Sequence, residues 1–318
     1  MNLLPSRLSG RGVAAVTAAA ATAGLALLNR ANARKAERDN SIDGAFVEVG
    51  GVKLHYLSRG DGPPVVLLHG NGSMIQDWLI SGQFDALAQS HRVIAFDRPG
   101  FGYSDRPRST IWTPEAQASV LAKAFGKLGF EKPIVVGHSF ATLVTLALAL
   151  NHPESVSRIV LIGGYYYPSA RLDAVLGSGP AIPGIGDVMR YTVSPLVGKA
   201  LEPAANRKLF GPAEVSPEWA RDYPTELAVR PSQIRATAAE AALMVPAAAR
   251  LSKRYGELSL PVAIVAGEGD RIVDPIRHSA RLHDALPNST LAICPGSGHM
   301  VHHTAQAAVS KAITQQPV

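Results

Sequence analysis

Residues 134–141 read Ile-Val-Val-Gly-His-Ser-Phe-Ala, an apolar run that leads into a serine flanked by small residues. The run fits a strand buried on both faces, and a helix is predicted from Phe140 onward. A nucleophile on such a sharp strand-to-helix turn needs small residues two positions before and after it, because larger side chains would clash with the neighbouring elements. Gly137 and Ala141 meet this need, although glycine is more usual at the second position. The stretch predicts Ser139 as a nucleophile, with the amides at the start of the helix directed toward it.

A serine hydroxyl is a poor nucleophile at neutral pH, so it needs a base, normally a histidine that a carboxylate holds in place. Residues 294–299 read Cys-Pro-Gly-Ser-Gly-His and follow the last predicted strand. This glycine-rich turn delivers a histidine to the edge of the sheet. We therefore predict His299 as the general base.

Three carboxylates follow the strand predicted over residues 262–265, namely Glu268, Asp270 and Asp274. Each would lie on a loop at the carboxyl end of a core strand, and each precedes the candidate histidine. The position of a carboxylate on this loop suits the orienting acid of a triad. Position alone leaves the three residues open.

Short apolar runs alternate with helical patterns through most of the chain. Strands are predicted over residues 46–49, 53–58, 65–68, 93–96, 134–136, 159–162, 262–265 and 290–293. Helices are predicted over residues 75–89, 114–128, 140–151, 275–285 and 301–313. The first two strands form an antiparallel edge, and the alternation after them predicts a mostly parallel, doubly wound α/β sheet with helices on both faces.

Residues 164–255 break this alternation, since they contain ten prolines and no clear buried strand. We interpret residues 165–255 as a helical cap or lid inserted into an α/β core made of residues 45–164 and 256–318. A single domain with an insertion suits a chain of 318 residues.

The first 44 residues are set apart from the core as a targeting segment and linker. Residues 13–28 form an unbroken apolar run flanked by arginines, and as a helix this run would rise about 24 Å, which is short of a roughly 30 Å bilayer core. Residues 31–33 read Ala-Asn-Ala and resemble a cleavage site, but Arg30 and Arg34 beside them disfavour processing. We expect a membrane anchor on an undetermined side of the bilayer. The alternatives are a cleaved signal, which would give a secreted or periplasmic protein, and an alanine-rich helix packed on the protein.

The net charge of +6 is concentrated at the amino end of the chain. The first 40 residues carry six basic and two acidic side chains, which leaves only +2 for the rest. No basic stripe with interleaved aromatic residues follows, so nucleic acid is excluded as an expected partner. The lone Cys294 offers neither an internal disulfide nor a cysteine cluster for a metal.

From Phe46 to its end the sequence resembles the α/β-hydrolase superfamily. The resemblance rests on the serine turn, on residues 69–72 (His-Gly-Asn-Gly), on residues 97–104 (Asp-Arg-Pro-Gly-Phe-Gly-Tyr-Ser), and on the order of serine, acid and histidine along the chain. It implies Asp270 as the orienting acid and the backbone N–H groups of Asn71 and Phe140 as the oxyanion hole. Such a donor contributes roughly 100- to 1,000-fold to turnover.

Several other side chains are candidates for the substrate pocket or for a metal. His138, Tyr165 and Trp78 are predicted to line the pocket. His299, His302 and His303 lie close together in sequence, but no carboxylate or cysteine accompanies them at ligand spacing. We predict no metal and no cofactor.

The predicted activity is hydrolysis of a carboxylic ester or related acyl bond through an acyl-serine intermediate, on an apolar small-molecule substrate whose acyl length stays open. A serine at the turn excludes haloalkane dehalogenases and epoxide hydrolases, which resemble this family but use aspartate there. Cofactor-free haloperoxidase or perhydrolase chemistry, carbon–carbon bond hydrolysis, and an aminopeptidase or lactonase stay open. A ligand receptor with slow hydrolysis and a membrane-anchored acyltransferase are further alternatives, and the oligomeric state is undetermined.

Overall fold

The computed structural model describes residues 9–40 and 43–315. Its eight strands are β1 (Ala45–Val49), β2 (Val52–Arg59), β3 (Pro64–Leu68), β4 (Arg92–Phe96), β5 (Ile134–His138), β6 (Arg158–Ile162), β7 (Val262–Gly267) and β8 (Ser289–Cys294). They form one sheet in the order β1-β2-β4-β3-β5-β6-β7-β8. Strand β2 is antiparallel to β1 and β4, and all later pairs are parallel, which confirms the predicted fold class.

Fourteen α-helices lie within the described residues. They are α1 (Gly10–Asp39), α2 (Gln76–Ile80), α3 (Gln83–Leu87), α4 (Pro114–Lys127), α5 (Ala141–Asn151), α6 (Leu172–Gly177), α7 (Ile185–Tyr191), α8 (Val193–Phe210), α9 (Pro217–Asp222), α10 (Thr225–Ala228), α11 (Pro231–Leu251), α12 (Arg281–Ala285), α13 (Val301–Thr304) and α14 (Gln306–Thr314). The helix predicted over residues 75–89 is two helices, because Gly82 has a left-handed φ of 73° at the junction.

The sheet is buried on both faces, as its apolar strands require. In β3, Val66 and Leu68 belong to the core beneath α4 and α5. Val65 and Leu67 alternate with them and pack with side chains of α2, α3 and α14 on the other face. This period-two alternation explains why the β3 run contains no polar residue.

The order of the strands reverses between β3 and β5, because β4 lies on one side of β3 and β5 on the other. In open α/β sheets the carboxyl ends of two such strands border a crevice that binds ligands. The loop after β3 and the serine turn after β5 both begin at this edge. The topology therefore brings together the residues that the sequence singled out.

Six helices, α6 to α11, lie between β6 and β7 and form a segment that we call the inserted segment (residues 165–255). Helix α1 begins before the predicted apolar run and continues to Asp39. It therefore takes in residues 34–39 of the polar stretch (residues 34–43) that the sequence suggests as a linker, and residues 41–42 fall outside the described residues.

Candidate active site

Ser139 lies at a strained turn between β5 and α5. Its φ of 54° is left-handed, which is unusual for a residue other than glycine. A Cβ atom at Gly137 would come within 2.4 Å of the Thr145 hydroxyl oxygen and 2.7 Å of the Ala141 carbonyl oxygen. The turn can therefore form only with glycine at position 137. It leaves the serine side chain partly exposed at the carboxyl edge of the sheet.

The structure brings Ser139 and His299 together. His299 Nε2 lies 2.9 Å from Ser139 Oγ, and His299 Nδ1 lies 2.7 Å from Asp270 Oδ2. Both distances are within the range of hydrogen bonds. With Nδ1 protonated and directed at the carboxylate, Nε2 is free to accept the serine proton.

Asp270 is the one of the three candidate carboxylates that meets this histidine. Its second oxygen, Oδ1, accepts hydrogen bonds from the backbone N–H groups of Ile272 (2.7 Å) and Val273 (2.9 Å). Glu268 and Asp274 are exposed, and Asp274 accepts from the amides of the turn that follows it. Hydrogen bonds to both of its oxygens fix the carboxylate of Asp270 against the imidazole.

The loop after β3 lies against the serine turn. A Cβ atom at Gly70 would be 3.1 Å from Ser139 Cβ, so glycine allows this close approach without displacing the serine. The backbone N–H groups of Asn71 and Phe140 donate to no backbone carbonyl among residues 9–40 and 43–315. In the described residues these two amides are therefore without a backbone acceptor, as the predicted oxyanion hole requires.

Arg98 fixes the loop after β3 by hydrogen bonds. It is fully buried, and its guanidinium donates to the carbonyls of His69 (2.7 Å) and Gly70 (3.0 Å). The same group pairs with the buried carboxylate of Glu240 on α11, at 3.0 Å for the second oxygen. It thereby joins the loop beside Ser139 to the inserted segment.

A cavity of about 490 Å³ at the β7–β8 edge lies away from the serine, whereas a cavity of about 690 Å³ opens onto Ser139 and His299. The second cavity is a typical size for a small-molecule site. Its walls are mostly apolar and come largely from the inserted segment, with Val197, Leu201, Leu209, Ile234, Ala238 and Met244 among the lining residues. Of the two, this cavity has Ser139 and His299 in its wall.

The three residues predicted for the pocket occupy different places. His138 lines the cavity, and its Nε2 donates to the carbonyl oxygen of His299 at 3.1 Å. Trp78 and Tyr165 are not among the lining residues, since both are buried in the two core layers. Trp78 packs against His302 with ring centroids 4.9 Å apart, and the Tyr165 hydroxyl lies 3.0 Å from the Ser169 carbonyl.

A buried carboxylate that the sequence reasoning missed lies behind the site. Asp77 Oδ1 is 2.9 Å from His302 Nε2 and 2.8 Å from His303 Nε2. Burial would raise the pKa of Asp77, but these histidines hold it well below its ordinary value. Burial, together with the neighbouring His302, lowers the pKa of His138 well below its ordinary value.

The grouping of Asp77 with His302 and His303 is close enough to hold a metal ion. Its ligand atoms are instead paired with one another at hydrogen-bond distances. No short-range signal could have revealed the group, because Asp77 is more than 220 residues from the histidines in sequence.

The family described as alpha/beta hydrolase fold matches residues 63–306, and the chain belongs to this family of hydrolases. A 2-hydroxy-6-oxo-2,4-heptadienoate hydrolase of Pseudomonas putida is 30% identical over 270 residues, which are 82% of this chain and 91% of that protein. The crystal structure of a meta-cleavage product hydrolase matches with a TM-score of 0.68 and 25% identity, covering 86% of this chain and 97% of that one. An esterase from Exiguobacterium antarcticum has the same fold, with a TM-score of 0.70, 21% identity, and coverage of 85% and 97%.

Proposed function

We propose that this chain is a serine hydrolase that cleaves a carboxylic ester, or a related acyl bond, through an acyl-serine intermediate. The observation that carries the proposal is the continuous hydrogen-bonded series Ser139–His299–Asp270, with contacts of 2.9 Å and 2.7 Å. The apolar walls of the adjoining cavity favour an apolar acyl group.

In this mechanism His299 accepts the hydroxyl proton as Ser139 Oγ bonds to the carbonyl carbon, and Asp270 stabilises the imidazolium that results. The amides of Asn71 and Phe140 donate to the oxyanion. When the tetrahedral intermediate collapses, the bond to the leaving group breaks and His299 returns the proton to it. Water then attacks the acyl-serine with His299 again as the base, which releases the acid and restores the serine.

Carbon–carbon bond hydrolysis is the second candidate, and the relative from Pseudomonas putida favours it. The name of that enzyme denotes a dienoate, whose carboxylate would need a cation in the cavity. Arg171 lines the cavity, but its guanidinium is paired with Asp173. A substrate carboxylate would have to compete with this pair, so we place ester hydrolysis first.

Labelling with a fluorophosphonate probe tests the nucleophile. The parent chain should be labelled and Ser139→Ala should not. Ser119→Ala is the matched control, because the Ser119 hydroxyl also faces a histidine, with His152 Nε2 at 3.1 Å, but neither residue lines the cavity. Equal labelling of the parent and Ser139→Ala would refute the assignment.

A panel of esters with increasing acyl length, together with a dienoate bearing a 6-oxo group, tests the reaction. Ester turnover that disappears in Ser139→Ala supports the first candidate. Turnover of the dienoate alone would move the assignment to the carbon–carbon hydrolases. Serine labelling without turnover of any ester, lactone or amide would favour a ligand receptor.

We also propose that α1 is an uncleaved membrane anchor. By length and composition this helix could cross a bilayer, a property that signal sequences share. Its later part belongs to the folded body, because Asn29 and Ala36 are buried and Glu37 pairs with Arg230 at 2.8 Å. The helix continues without a break through residues 31–33, and a peptide bond inside a helix is a poor protease substrate.

A further inference from the structure

The inserted segment exposes an unusual amount of apolar side chain. Among the described residues, 17 large hydrophobic side chains are exposed, of which 11 lie between residues 172 and 201 and four lie on α1. A concentration of exposed apolar side chains of this kind is typical of an interaction site. We call this surface the apolar face, and its members are Leu172, Val175, Leu176, Ile182, Ile185, Val188, Tyr191, Val193, Leu196, Val197 and Leu201.

The spacing of these residues places the exposed apolar side chains on one side of each helix. On α6 the exposed positions are 172, 175 and 176, and on α8 they are 193, 196, 197 and 201. Steps of three and four residues place side chains on one side of a helix. A surface helix of a water-soluble protein turns such a stripe toward the core, so α6 and α8 are built for contact with an apolar environment.

Every charged residue in this stretch has an ion-pair partner. From position 171 to 201 the sequence has five charged side chains. All five are paired: Arg171 with Asp173, Asp187 with Arg108 and Arg190, and Lys199 with Glu226. Paired charges lower the cost of bringing this face against a low-dielectric medium.

Helix α1 joins the body beside the apolar face. The Asn29 side-chain amide donates to the carbonyls of Tyr191 (3.0 Å) and Thr192 (2.6 Å), at the junction of α7 and α8. Leu27 and Leu28, which come just before it, are exposed. The apolar part of α1 therefore leaves the protein next to the apolar face.

The cavity of the candidate active site opens on this face. Val197 and Leu201 line the cavity, and they are also 52% and 60% exposed. Their high exposure marks this part of α8 as an open wall of the cavity. Gly177, the last residue of α6, and Pro180 line the same cavity.

We propose that the apolar face docks on a lipid bilayer beside the point where α1 enters it, and that the acyl substrate passes from the bilayer into the cavity between α6 and α8. The proposal rests on the proposed function for the nature of the substrate and on the proposed anchor for the position of the bilayer. A bilayer fits three observations. The apolar part of α1 leaves the protein beside the apolar face, the charged residues of this stretch are paired, and the cavity opens there.

Docking is measured on the full chain reconstituted in phosphatidylcholine vesicles, with the polarity-sensitive fluorophore NBD attached to cysteine in Leu176→Cys or Ile185→Cys. Both native side chains are about as exposed as any in the apolar face, at 75% and 69%. Their fluorescence should rise in vesicles, and lipids carrying a nitroxide in the acyl chain should quench it. Glu131→Cys, exposed at the amino end of β5 on the opposite edge of the sheet, is the matched control and should show neither effect. The parent chain, whose cysteine is buried, gives the background.

Absence of nitroxide quenching at both positions would overturn the proposal. A signal that rises with protein concentration in detergent and ignores the nitroxide lipids would assign the apolar face to a second copy of the chain instead. Neither readout needs catalysis, so quenching without turnover of any ester would refute the proposed function and leave the docking intact.

Delivery of substrate from the bilayer is tested with Leu176→Gln/Ile185→Gln, at positions that do not line the cavity. Turnover of a long-chain ester in vesicles should fall at least about tenfold, because two large apolar contacts with the bilayer are lost. Turnover of a short soluble ester should stay within about twofold, and fluorophosphonate labelling checks that the site is intact. An equal loss on both substrates would contradict delivery through this face.

Discussion

His69 makes two hydrogen bonds that only its neutral ring can make together. Its Nδ1 donates to the Gly70 carbonyl at 2.8 Å, and its Nε2 accepts from the Arg98 backbone N–H at 3.0 Å. Burial, reinforced by the positive charge of Arg98, lowers the pKa of His69 from 6.5 to about 4. The neutral ring thereby fixes the first residue of the loop beside Ser139.

This lowered pKa makes the stability of the protein depend on pH. Above pH 6.5 the ring is neutral in both the folded and the unfolded chain, so it contributes no pH dependence. Between pH 6.5 and about 4 the unfolded chain binds a proton that the folded chain does not. The free energy of unfolding should then fall with decreasing pH, by up to about 1.4 kcal/mol per pH unit for this residue.

Denaturant titrations of the full chain in detergent micelles, at several pH values, measure this slope. His69→Gln keeps a donor and an acceptor at the position but cannot be protonated, so its slope should be shallower than that of the parent. Residual slope is expected, because the pKa of His278 is also lowered to about 4 by burial. His152→Gln, outside the site, is the control, and identical slopes for His69→Gln and the parent would contradict the expectation.

The sequence predicted some residues of the site and missed others, and the reasons are physical. The serine turn and the glycine-rich turn before His299 leave local signals, because each demands small residues around one reactive side chain. Trp78 and Tyr165 have no such signal around them, since the sequence does not show whether an aromatic side chain packs in the core or lines the pocket. Asp77 lies in the helix predicted over residues 75–89 without any local signal, and only the fold brings His302 to it.

Between elements, the pair of Arg98 and Glu240 connects the end of β4 to α11. Both side chains are fully buried, and Gln117 on α4 also donates to Glu240 at 2.8 Å. Since Arg98 also binds the loop after β3, one ion pair positions three elements around the cavity. Sequence patterns predict such elements, but they do not predict which buried charges join them.

Removing one partner of this pair should destabilise the protein more than removing both partners. Glu240→Leu leaves a buried guanidinium without its carboxylate, and we expect the free energy of unfolding to fall by about 3–5 kcal/mol. The double variant Arg98→Met/Glu240→Leu should recover part of that loss. Recovery is partial because Arg106 also faces Glu240, at 3.8 Å.

The same two variants should rank differently in turnover than in stability. Glu240→Leu keeps the bonds from Arg98 to the loop beside Ser139, whereas the double variant loses them and should have the lower kcat. Glu115→Gln is the control, because its pair with Arg250 on the same α11 is partly exposed and is worth at most about 1 kcal/mol. If Glu240→Leu were as stable as Glu115→Gln, the buried pair would not have the role that we assign to it.

At the scale of the whole molecule, the inserted segment and α1 lie toward the carboxyl edge of the sheet. The carboxyl ends of the strands present the candidate triad, the inserted segment forms most of the cavity above it, and α1 joins the body at the junction of α7 and α8. The composition of residues 13–28 predicted a membrane segment. It did not predict that the same helix would extend to Asp39 and pack on the inserted segment, because that depends on contacts distant in sequence.

With α1 as an uncleaved anchor, the protein is expected in the membrane fraction with its amino-terminal residues still present. It should sediment with membranes, resist an alkaline carbonate wash, and give an intact mass that includes residues 1–33. Ala20→Arg places a charge within the apolar run and should make the protein extractable by the carbonate wash, since arginine at the centre of a spanning helix costs about 2.5–3.5 kcal/mol. Ala31→Arg adds the same charge just outside the run and should leave the protein in the membrane fraction. A soluble chain that begins near residues 31–33 would instead identify α1 as a cleaved signal.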